Sequence, residues 1–139
     1  MDPILEFFKR DRFAEMIGVE LLEARPGYAK GKVDIRPEHL NGFRAVQGGV
    51  IFTLADFVMA GASNADGRLA VAINASINYI KSGYGKVLYA EAKETSSNPK
   101  LASYEVLVTN DQGETIATMQ GLAYRKKDTL TEIVEKMPD

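Results

Sequence analysis

The sequence predicts an α+β fold in which a curved antiparallel sheet wraps around one long central helix. Residues 48 to about 65 are apolar on nearly every side and lack the alternation of a strand, so we expect a buried helix there. Later segments alternate in polarity between short turns, which predicts consecutive antiparallel strands over residues 69–80, 87–95, 101–110 and 115–125. Such a sheet buries one face and the helix needs cover on most sides, so curling the sheet around the helix satisfies both.

The chain before the central helix predicts a helix, a hairpin and a loop. Residues 3–16 begin with proline and carry apolar residues at helical spacing, which indicates a short amphipathic N-terminal helix within residues 1–17. Residues 19–25 and 28–35 flank a proline-glycine turn and predict two paired strands. The segment from there to the glycine pair is a predicted loop.

The chain after the central helix predicts strands and a charged tail. We expect the helix to stop at residues 64–67, where turn-forming residues cluster. The strand over 69–80 places its large apolar residues on one face, namely Leu69, Val71, Ile73, Ala75, Ile77 and Tyr79. Residues 126–139 are rich in charge, with a final helical turn expected over 130–137.

Length, charge and composition narrow the function. The 139 residues suit a single domain, and a net charge of -2 offers no basic face for nucleic acid. The chain has no cysteine and one histidine, which excludes a disulfide framework, a thiolate nucleophile and an ordinary zinc site. We therefore expect neither a metal nor a cofactor.

We expect neither a signal peptide nor a membrane span. The first residues are interrupted by charges at Glu6, Lys9, Arg10, Asp11 and Arg12. No apolar run approaches the ~20 residues that cross a bilayer. We expect a cytoplasmic protein with no membrane partner.

One carboxylate interrupts the central helix. Asp56 would lose hydration on burial, which is unfavourable unless it is paired, hydrogen-bonded or used in chemistry. On a helix it lies on one stripe of small or polar residues with Gly49, Thr53, Ala60 and Ser63. We expect this stripe to face a ligand or another element, with Asp56 as the candidate catalytic group.

The glycine pair before the apolar run suits an oxygen that gains negative charge. The first N–H groups of a helix have no intrahelical partner, and Gly48 and Gly49 let a substrate approach them closely. One such donor typically contributes about 3 to 4 kcal/mol of transition-state stabilisation. The sequence therefore predicts an oxyanion hole at Gly48.

The spacing of these two groups predicts an oligomer. At the usual helical rise, Gly48 and Asp56 lie ~12 Å apart along one helix, whereas a reacting carbonyl needs both groups within about 3 Å. If both act on one substrate they come from two chains, and a twofold axis that sets the helices antiparallel gives two equivalent sites. We expect a homodimer or a homotetramer.

The stretch from His39 to Gly61, HLNGFRAVQGGVIFTLADFVMAG, resembles the signature of hotdog-fold acyl-CoA thioesterases, especially their PaaI-like branch. In that family an asparagine-glycine loop leads to a histidine-glycine-glycine turn and then to a helix that carries an aspartate. The later segments INYIKSGYGKVLYAEA and VTNDQGETIATMQGLAYR look like the family's next strand pair and final hairpin. The resemblance extends from about Gly18 to Arg125 and implies hydrolysis of an acyl-CoA substrate.

The resemblance also implies roles for single residues. Asp56 matches the catalytic carboxylate, either as a general base on water or as a nucleophile. Gly48 matches the amide that polarises the thioester carbonyl, and Asn41 matches the loop asparagine that positions substrate or water. Where the family usually has histidine this chain has Gln47, which hydrogen-bonds but cannot carry a proton. With the acyl group between helix and sheet, the expected substrate-binding residues are Gln47, Gly49, Thr53, Phe57 and Tyr79, with Met59 nearby.

Other interpretations stay open on the sequence alone. Asp56 can be a structural carboxylate bonded to a neighbouring hydroxyl such as Thr53 or to the partner chain, and Asn41 can simply stabilise its loop. We expect the sole histidine, His39, to hydrogen-bond within the loop. The alternative functions are non-catalytic acyl-CoA binding, which Gln47 suggests, and an acyl-thioester hydratase or dehydratase, for which His39 is the only candidate histidine.

Overall fold

The computed structural model describes residues 2–137. The N-terminal segment forms two short helices, α1 at Pro3–Phe8 and α2 at Arg12–Ile17. The expectation of one helix over 3–16 is wrong because Asp11 accepts a hydrogen bond from the Ala14 N–H (2.9 Å) and caps a second helix start. Gly18 ends α2 in the left-handed conformation, with φ of 90°.

Six strands form one antiparallel sheet, as predicted. They are β1 at Val19–Arg25, β2 at Tyr28–Asp34, β3 at Arg68–Tyr79, β4 at Val87–Ser97, β5 at Leu101–Asn110 and β6 at Thr115–Thr129. Their order across the sheet is β1-β2-β4-β5-β6-β3, and every neighbouring pair is antiparallel. The predicted hairpin between β1 and β2 is confirmed.

The sheet curls around the long helix α3, Gly48–Asn64, which contacts all six strands. The core lies between them and includes the fully buried Leu54, Val58 and Met59 of the helix. Helix and sheet approach most closely at Gly121, where an added Cβ would lie 2.1 Å from the Met59 Sδ. A central helix inside a curved antiparallel sheet is therefore confirmed.

Strand β3 departs from the predicted alternation. Its register on β6 shifts by one residue after Ala72. Before the shift Val71 opposes the exposed Tyr124, and after it Ile77 opposes the buried Met119. Because directly opposed residues share a face of the sheet, this bulge moves the odd-numbered positions from the outer to the inner face. The expectation that they all share one face is wrong.

The C-terminal segment is more regular than its charge suggests. Strand β6 continues to Thr129, whose hydroxyl accepts the Glu132 N–H (3.2 Å) and caps helix α4 at Leu130–Lys136. The expected final helical turn is confirmed, whereas the start of the charged tail is part of β6. Across residues 2–137, the helices are all too short or too polar to cross a bilayer.

Candidate active site

One stripe of α3 remains accessible. Gly49 is exposed, and Thr53, Asp56 and Ala60 are partly exposed, whereas the neighbouring faces of the helix are buried in the sheet. Ser63 is buried, so the accessible stripe ends at Ala60 rather than at Ser63. The small and polar face that the sequence indicates is the face that another element or a ligand can reach.

Asp56 sits half-buried in the middle of this stripe. Loss of hydration, and secondly the negative charge of Asp11, raise the pKa of the Asp56 carboxyl above its ordinary value of 3.8. The Thr53 hydroxyl donates to the Gly49 carbonyl (2.7 Å) and not to this carboxylate. Among residues 2–137 the Asp56 side chain has no hydrogen-bond donor, so the structural alternative of a Thr53–Asp56 bond is wrong.

The start of α3 leaves one amide open. Gln47 is the N-cap, and its side-chain oxygen accepts the Gly49 N–H, while its carbonyl accepts the Val50 N–H (2.9 Å). Within the described part of the chain, the Gly48 N–H has no acceptor. The first donor of the helix is thus available to an oxygen from outside the chain.

Tyr79, at the end of β3, covers the same helix start. Its hydroxyl donates to the Gly48 carbonyl oxygen (3.2 Å), and a Cβ added to Gly48 would lie 3.3 Å from the Tyr79 Cζ. The Tyr79 side chain is 52% exposed. This tyrosine therefore contacts the glycine pair directly and also presents surface to solvent.

Asn41 closes the loop before α3. Its side-chain oxygen accepts the N–H groups of Phe43 (2.8 Å) and Ala45 (3.2 Å), and its own N–H donates to the Ala45 carbonyl (2.7 Å). Arg44 completes the turn with a φ of 63°. These bonds give Asn41 a loop-stabilising role, and its side-chain NH₂ group has no acceptor between residues 2 and 137.

His39 is a buried structural residue, as expected. Its Nδ1 accepts the Arg36 N–H (3.0 Å), and its Nε2 lies 2.7 Å from the Ile17 carbonyl oxygen. Since an amide N–H can only donate and a carbonyl can only accept, the imidazole is neutral with its proton on Nε2. Both ring nitrogens are occupied, and the side chain is 2% exposed.

Phe57 and Met59 lie away from the helix start. Phe57 packs edge-on against Phe8 with ring centroids 5.4 Å apart, and it lines a cavity of about 510 Å³ between α1, α2 and β1. Met59 is 1% exposed and packs on Gly121. The expectation that Met59 lies near an acyl group is wrong because it is enclosed by the sheet. Within one chain, Tyr79 lies at the start of α3, whereas Phe57 lies near the middle of the helix.

The structure groups the candidate residues in two places. Gln47, Gly48, Gly49 and Tyr79 meet at the start of α3, while Asp56 lies near the middle of the helix with Phe57 beside it. Asp11 is a further neighbour of Asp56 that the sequence did not reveal. The sequence shows an aspartate, a good N-cap residue, just before Arg12. The approach of Asp11 to α3 depends on how α2 packs and has no local signal in the sequence.

No metal centre accompanies these groups. Across residues 2–137, no cluster of three or more histidine, aspartate or glutamate side chains is placed to hold a metal ion. The polar groups that the structure leaves accessible along α3 include the Asp56 carboxylate and the Gly48 amide.

A curved sheet around a helix that carries an accessible carboxylate and an open first amide is typical of one class of protein. Residues 43–117 match the family model of the thioesterase superfamily, which is more than half of the chain. The chain belongs to the thioesterase superfamily and has its hotdog fold. It is thus an enzyme of the thioester-hydrolysing class.

Similar proteins narrow the position within this family. A protein of Archaeoglobus fulgidus named "Putative esterase" is 43% identical over 85% of this chain and 77% of its own length. The acyl-coenzyme A thioesterase PaaI of Escherichia coli K12 is 29% identical, over 89% of each chain. The solved structure of the Escherichia coli PaaI protein superposes with a TM-score of 0.85, covering 89% of this chain and 91% of that one at 27% identity.

A third structure contains a ligand. The smu.793 protein of Streptococcus mutans, solved bound to acetyl-CoA, is 25% identical and has a TM-score of 0.73 over 78% of this chain and 88% of its own. The predicted resemblance to PaaI-like hotdog thioesterases is confirmed by the family match together with the PaaI sequence and structure.

Proposed function

We propose that this chain hydrolyses acyl-CoA thioesters at sites shared by two copies, each site combining Asp56 of one protomer with Gly48 of the other. The PaaI protein of Escherichia coli is named an acyl-coenzyme A thioesterase, and the Streptococcus mutans relative binds acetyl-CoA. Those two relatives support acyl-CoA as the substrate class of this chain.

The separation of the two groups carries the proposal. Gly48 is the first residue of α3 and Asp56 follows ~12 Å further along the same helix, too far for one substrate carbonyl to contact both. The stripe around Asp56 is accessible, and the far edge of β3 has no strand partner in the part of the chain that the structure describes. A second copy that pairs with this edge in antiparallel fashion would complete both sites.

The reaction uses few groups. Asp56 of one protomer takes a proton from water while the water oxygen bonds to the thioester carbonyl carbon. The electron pair of the carbonyl moves onto its oxygen, where the N–H of Gly48 from the second protomer binds it. The C–S bond then breaks with its electrons on sulfur, and the proton held by Asp56 passes to the leaving thiolate. The products are a free acid and CoA.

A nucleophilic role for Asp56 can be distinguished from the general-base role by isotope labelling. In that route the carboxylate itself bonds to the carbonyl carbon, the thiolate leaves, and water cleaves the resulting anhydride. When water attacks the Asp56 carbonyl carbon of that anhydride, repeated turnover in H₂¹⁸O labels the Asp56 side chain, which mass spectrometry of the peptide that contains residue 56 detects. Label on Asp56 therefore identifies the nucleophilic route. The general-base route leaves Asp56 unlabelled.

The cavity beside Phe57 is the candidate site for the acyl group. It lies between the N-terminal helices and β1, one residue from the catalytic carboxylate, and its walls include Leu5, Phe8 and Leu21. These apolar walls suit an aliphatic or aromatic acyl chain, while the charged part of the same lining consists of Lys9, Asp11, Glu15, Glu20 and Arg36. Release of free thiol from a panel of aliphatic and aromatic acyl-CoAs ranks the candidates and separates hydrolysis from binding alone.

The shared site is tested by mixing two inactive variants. Gly48→Pro removes the proposed N–H donor at the first helical position, where proline is tolerated. Gln47 has φ of -63° and ψ of 138°, the extended conformation that a residue before proline adopts. Gly48→Ala is the matched control, because it places a Cβ against Tyr79 but keeps the N–H.

Heterodimers of Gly48→Pro with Asp56→Asn contain one intact site and one doubly defective site. Random mixing makes half of the dimers mixed, so activity should recover to about a quarter of the wild-type value per chain. Differently tagged subunits confirm that mixed dimers form. Mixed dimers without any recovery would contradict a site shared between two chains.

A further inference from the structure

The peptide unit between Gly48 and Gly49 is held at both ends by side chains. Its carbonyl oxygen accepts the Tyr79 hydroxyl (3.2 Å), and its N–H donates to the Gln47 side-chain oxygen (2.5 Å). A peptide unit is planar, so fixing its oxygen and its nitrogen fixes the orientation of the whole plane. Gln47 and Tyr79 therefore act on one rigid group from opposite sides.

Both glycines leave room for these contacts. A Cβ added to Gly49 would lie 2.7 Å from the Gln47 Oε1, which is closer than side chains normally approach. A Cβ added to Gly48 would lie 3.3 Å from the Cζ of Tyr79 and 3.4 Å from its hydroxyl oxygen. The two side chains thus occupy the space that only a glycine pair leaves beside the backbone.

The arrangement separates the first two amides of the helix. The Gly49 N–H is bound by Gln47, whereas the Gly48 N–H lacks an acceptor anywhere in residues 2–137. The Gly48 N–H lies in the preceding peptide unit, whose Gln47 carbonyl accepts the Val50 N–H (2.9 Å). An oxygen from outside the chain therefore meets one donor in a fixed direction instead of two that compete. Preorganised donors of this kind stabilise a transition state because they need no reorganisation during the reaction.

We infer that Gln47 and Tyr79 are positioning residues of the oxyanion hole: Gln47 occupies the Gly49 N–H and Tyr79 anchors the Gly48 carbonyl, so that the Gly48 N–H alone faces the substrate carbonyl. This inference rests on the proposed function of Gly48. It gives both residues a role different from the substrate binding expected from the sequence. It also explains how glutamine serves before the glycine pair, since capping needs an acceptor and no ionisable group.

Two truncations test the inference. Tyr79→Phe removes the bond to the carbonyl oxygen, and Gln47→Ala removes the bond to the amide. Each should lower kcat about tenfold, since small misplacements of catalytic groups have effects of up to about a hundredfold. KM should change less than about twofold, because neither side chain binds substrate under this inference. The acid limb of the pH profile should not move.

The double variant and a conservative variant sharpen the test. Because Gln47 and Tyr79 hold the same peptide, Gln47→Ala with Tyr79→Phe should lose less than the product of the two single effects. Gln47→Asn keeps a side-chain acceptor that suits an N-cap and should recover most of kcat. Tyr124→Phe is the control, since Tyr124 lies on the exposed face of β6 and should leave kcat unchanged.

Nuclear magnetic resonance of the substrate-free protein gives an independent reading. The Gly49 amide proton should shift upfield in Gln47→Ala, and the Gly48 carbonyl carbon should shift in Tyr79→Phe. Unchanged kcat in both variants, or an effect on KM alone, overturns the inference even if Asp56→Asn is inactive. Full activity of Asp56→Asn and Gly48→Pro would instead remove the proposed function, whatever the resonances show.

Discussion

The two ends of α3 differ in how they satisfy their polar groups. At the C-terminal end Asn64 is buried, its side-chain oxygen accepts the Ala70 N–H (2.8 Å), and its NH₂ donates to the carbonyls of Ala60 (2.9 Å) and Ala70 (3.2 Å). At the N-terminal end Gln47 is exposed, and the Gly48 N–H is unmatched in the described chain. One end is closed by the chain itself, and the other is left for a partner.

This difference separates stability from chemistry along one helix. Asn64 joins the end of α3 to the start of β3 through buried hydrogen bonds. Breaking a buried hydrogen bond lowers the free energy of unfolding more than breaking an exposed one. The free N–H donor at the start of α3 can bind an external oxygen without breaking any hydrogen bond among residues 2–137. Variants at the two ends should therefore fail in different measurements.

The largest effect is expected at the closed end. Asn64→Ala leaves the buried N–H and carbonyl groups of Ala70 without their Asn64 partners and should lower the free energy of unfolding by about 3 kcal/mol, since each unsatisfied group costs about 1 to 3 kcal/mol. Urea denaturation measures it, with Asn78→Ala on the exposed face of β3 as the control. A loss no larger than that of the control would contradict this assignment.

Asp56→Asn should affect the other property. Thiol release should fall about a hundredfold, the usual order for removal of a catalytic base. The melting temperature at pH 7 should rise, because the folded state raises the pKa of this carboxyl and so disfavours its charged form. The gain should fade as the pH falls through the raised pKa toward 3.8, where the unfolded carboxyl also becomes neutral. Retained hydrolysis removes Asp56 from the mechanism.

His39 supports the open end without taking part in chemistry. His39→Ala removes the bonds to Ile17 and Arg36 and should lower stability by about 2 kcal/mol, within the range for a buried hydrogen-bonded group. The kcat of the folded fraction should stay near the wild-type value. A drop in kcat beyond the loss of folded protein would favour the hydratase or dehydratase alternative, which needs an imidazole.

The smallest effect is a displaced pH profile. Asp11→Asn removes the negative charge that helps to raise the pKa of Asp56, so that pKa falls and the acid limb of kcat/KM moves to lower pH. Asparagine is also a good N-cap, so α2 should persist. Asp34→Asn, on an exposed acid at the end of β2, should leave the limb in place. An acid limb that moves equally in both variants would contradict a specific effect of the Asp11 charge on the pKa of Asp56.

The elements that could be predicted from the sequence are those whose pattern is local. The glycine pair and the apolar run define α3, and alternating polarity defines the strands. The break between α1 and α2 could not be predicted from the apolar pattern, because the apolar residues keep the spacing of one helix on both sides of Asp11. The bulge in β3 depends on which β6 residue opposes Ala72, and no local signal specifies that pairing.

In the candidate site, too, some residues could be predicted from the local sequence, whereas the contacts between distant segments could not. Gly48 and Asp56 were indicated by residue type and helical spacing, and their separation follows from the rise of a helix. The hydrogen bonds of Gln47 and Tyr79 could not be predicted, because the end of β3 meets the start of α3 only after the sheet curls. The approach of Asp11 likewise arises from packing between segments far apart in the chain.

The close contact between Met59 and Gly121 has a chemical consequence. The sulfur fills the place of a side chain at position 121, and Met59 is only 1% exposed, which keeps peroxide away from it. Peroxide should therefore convert Met16 and Met137, which are 64% and 46% exposed, to sulfoxides first. The thioether beneath the sheet stays reduced for as long as the chain is folded, and its oxidation would report unfolding.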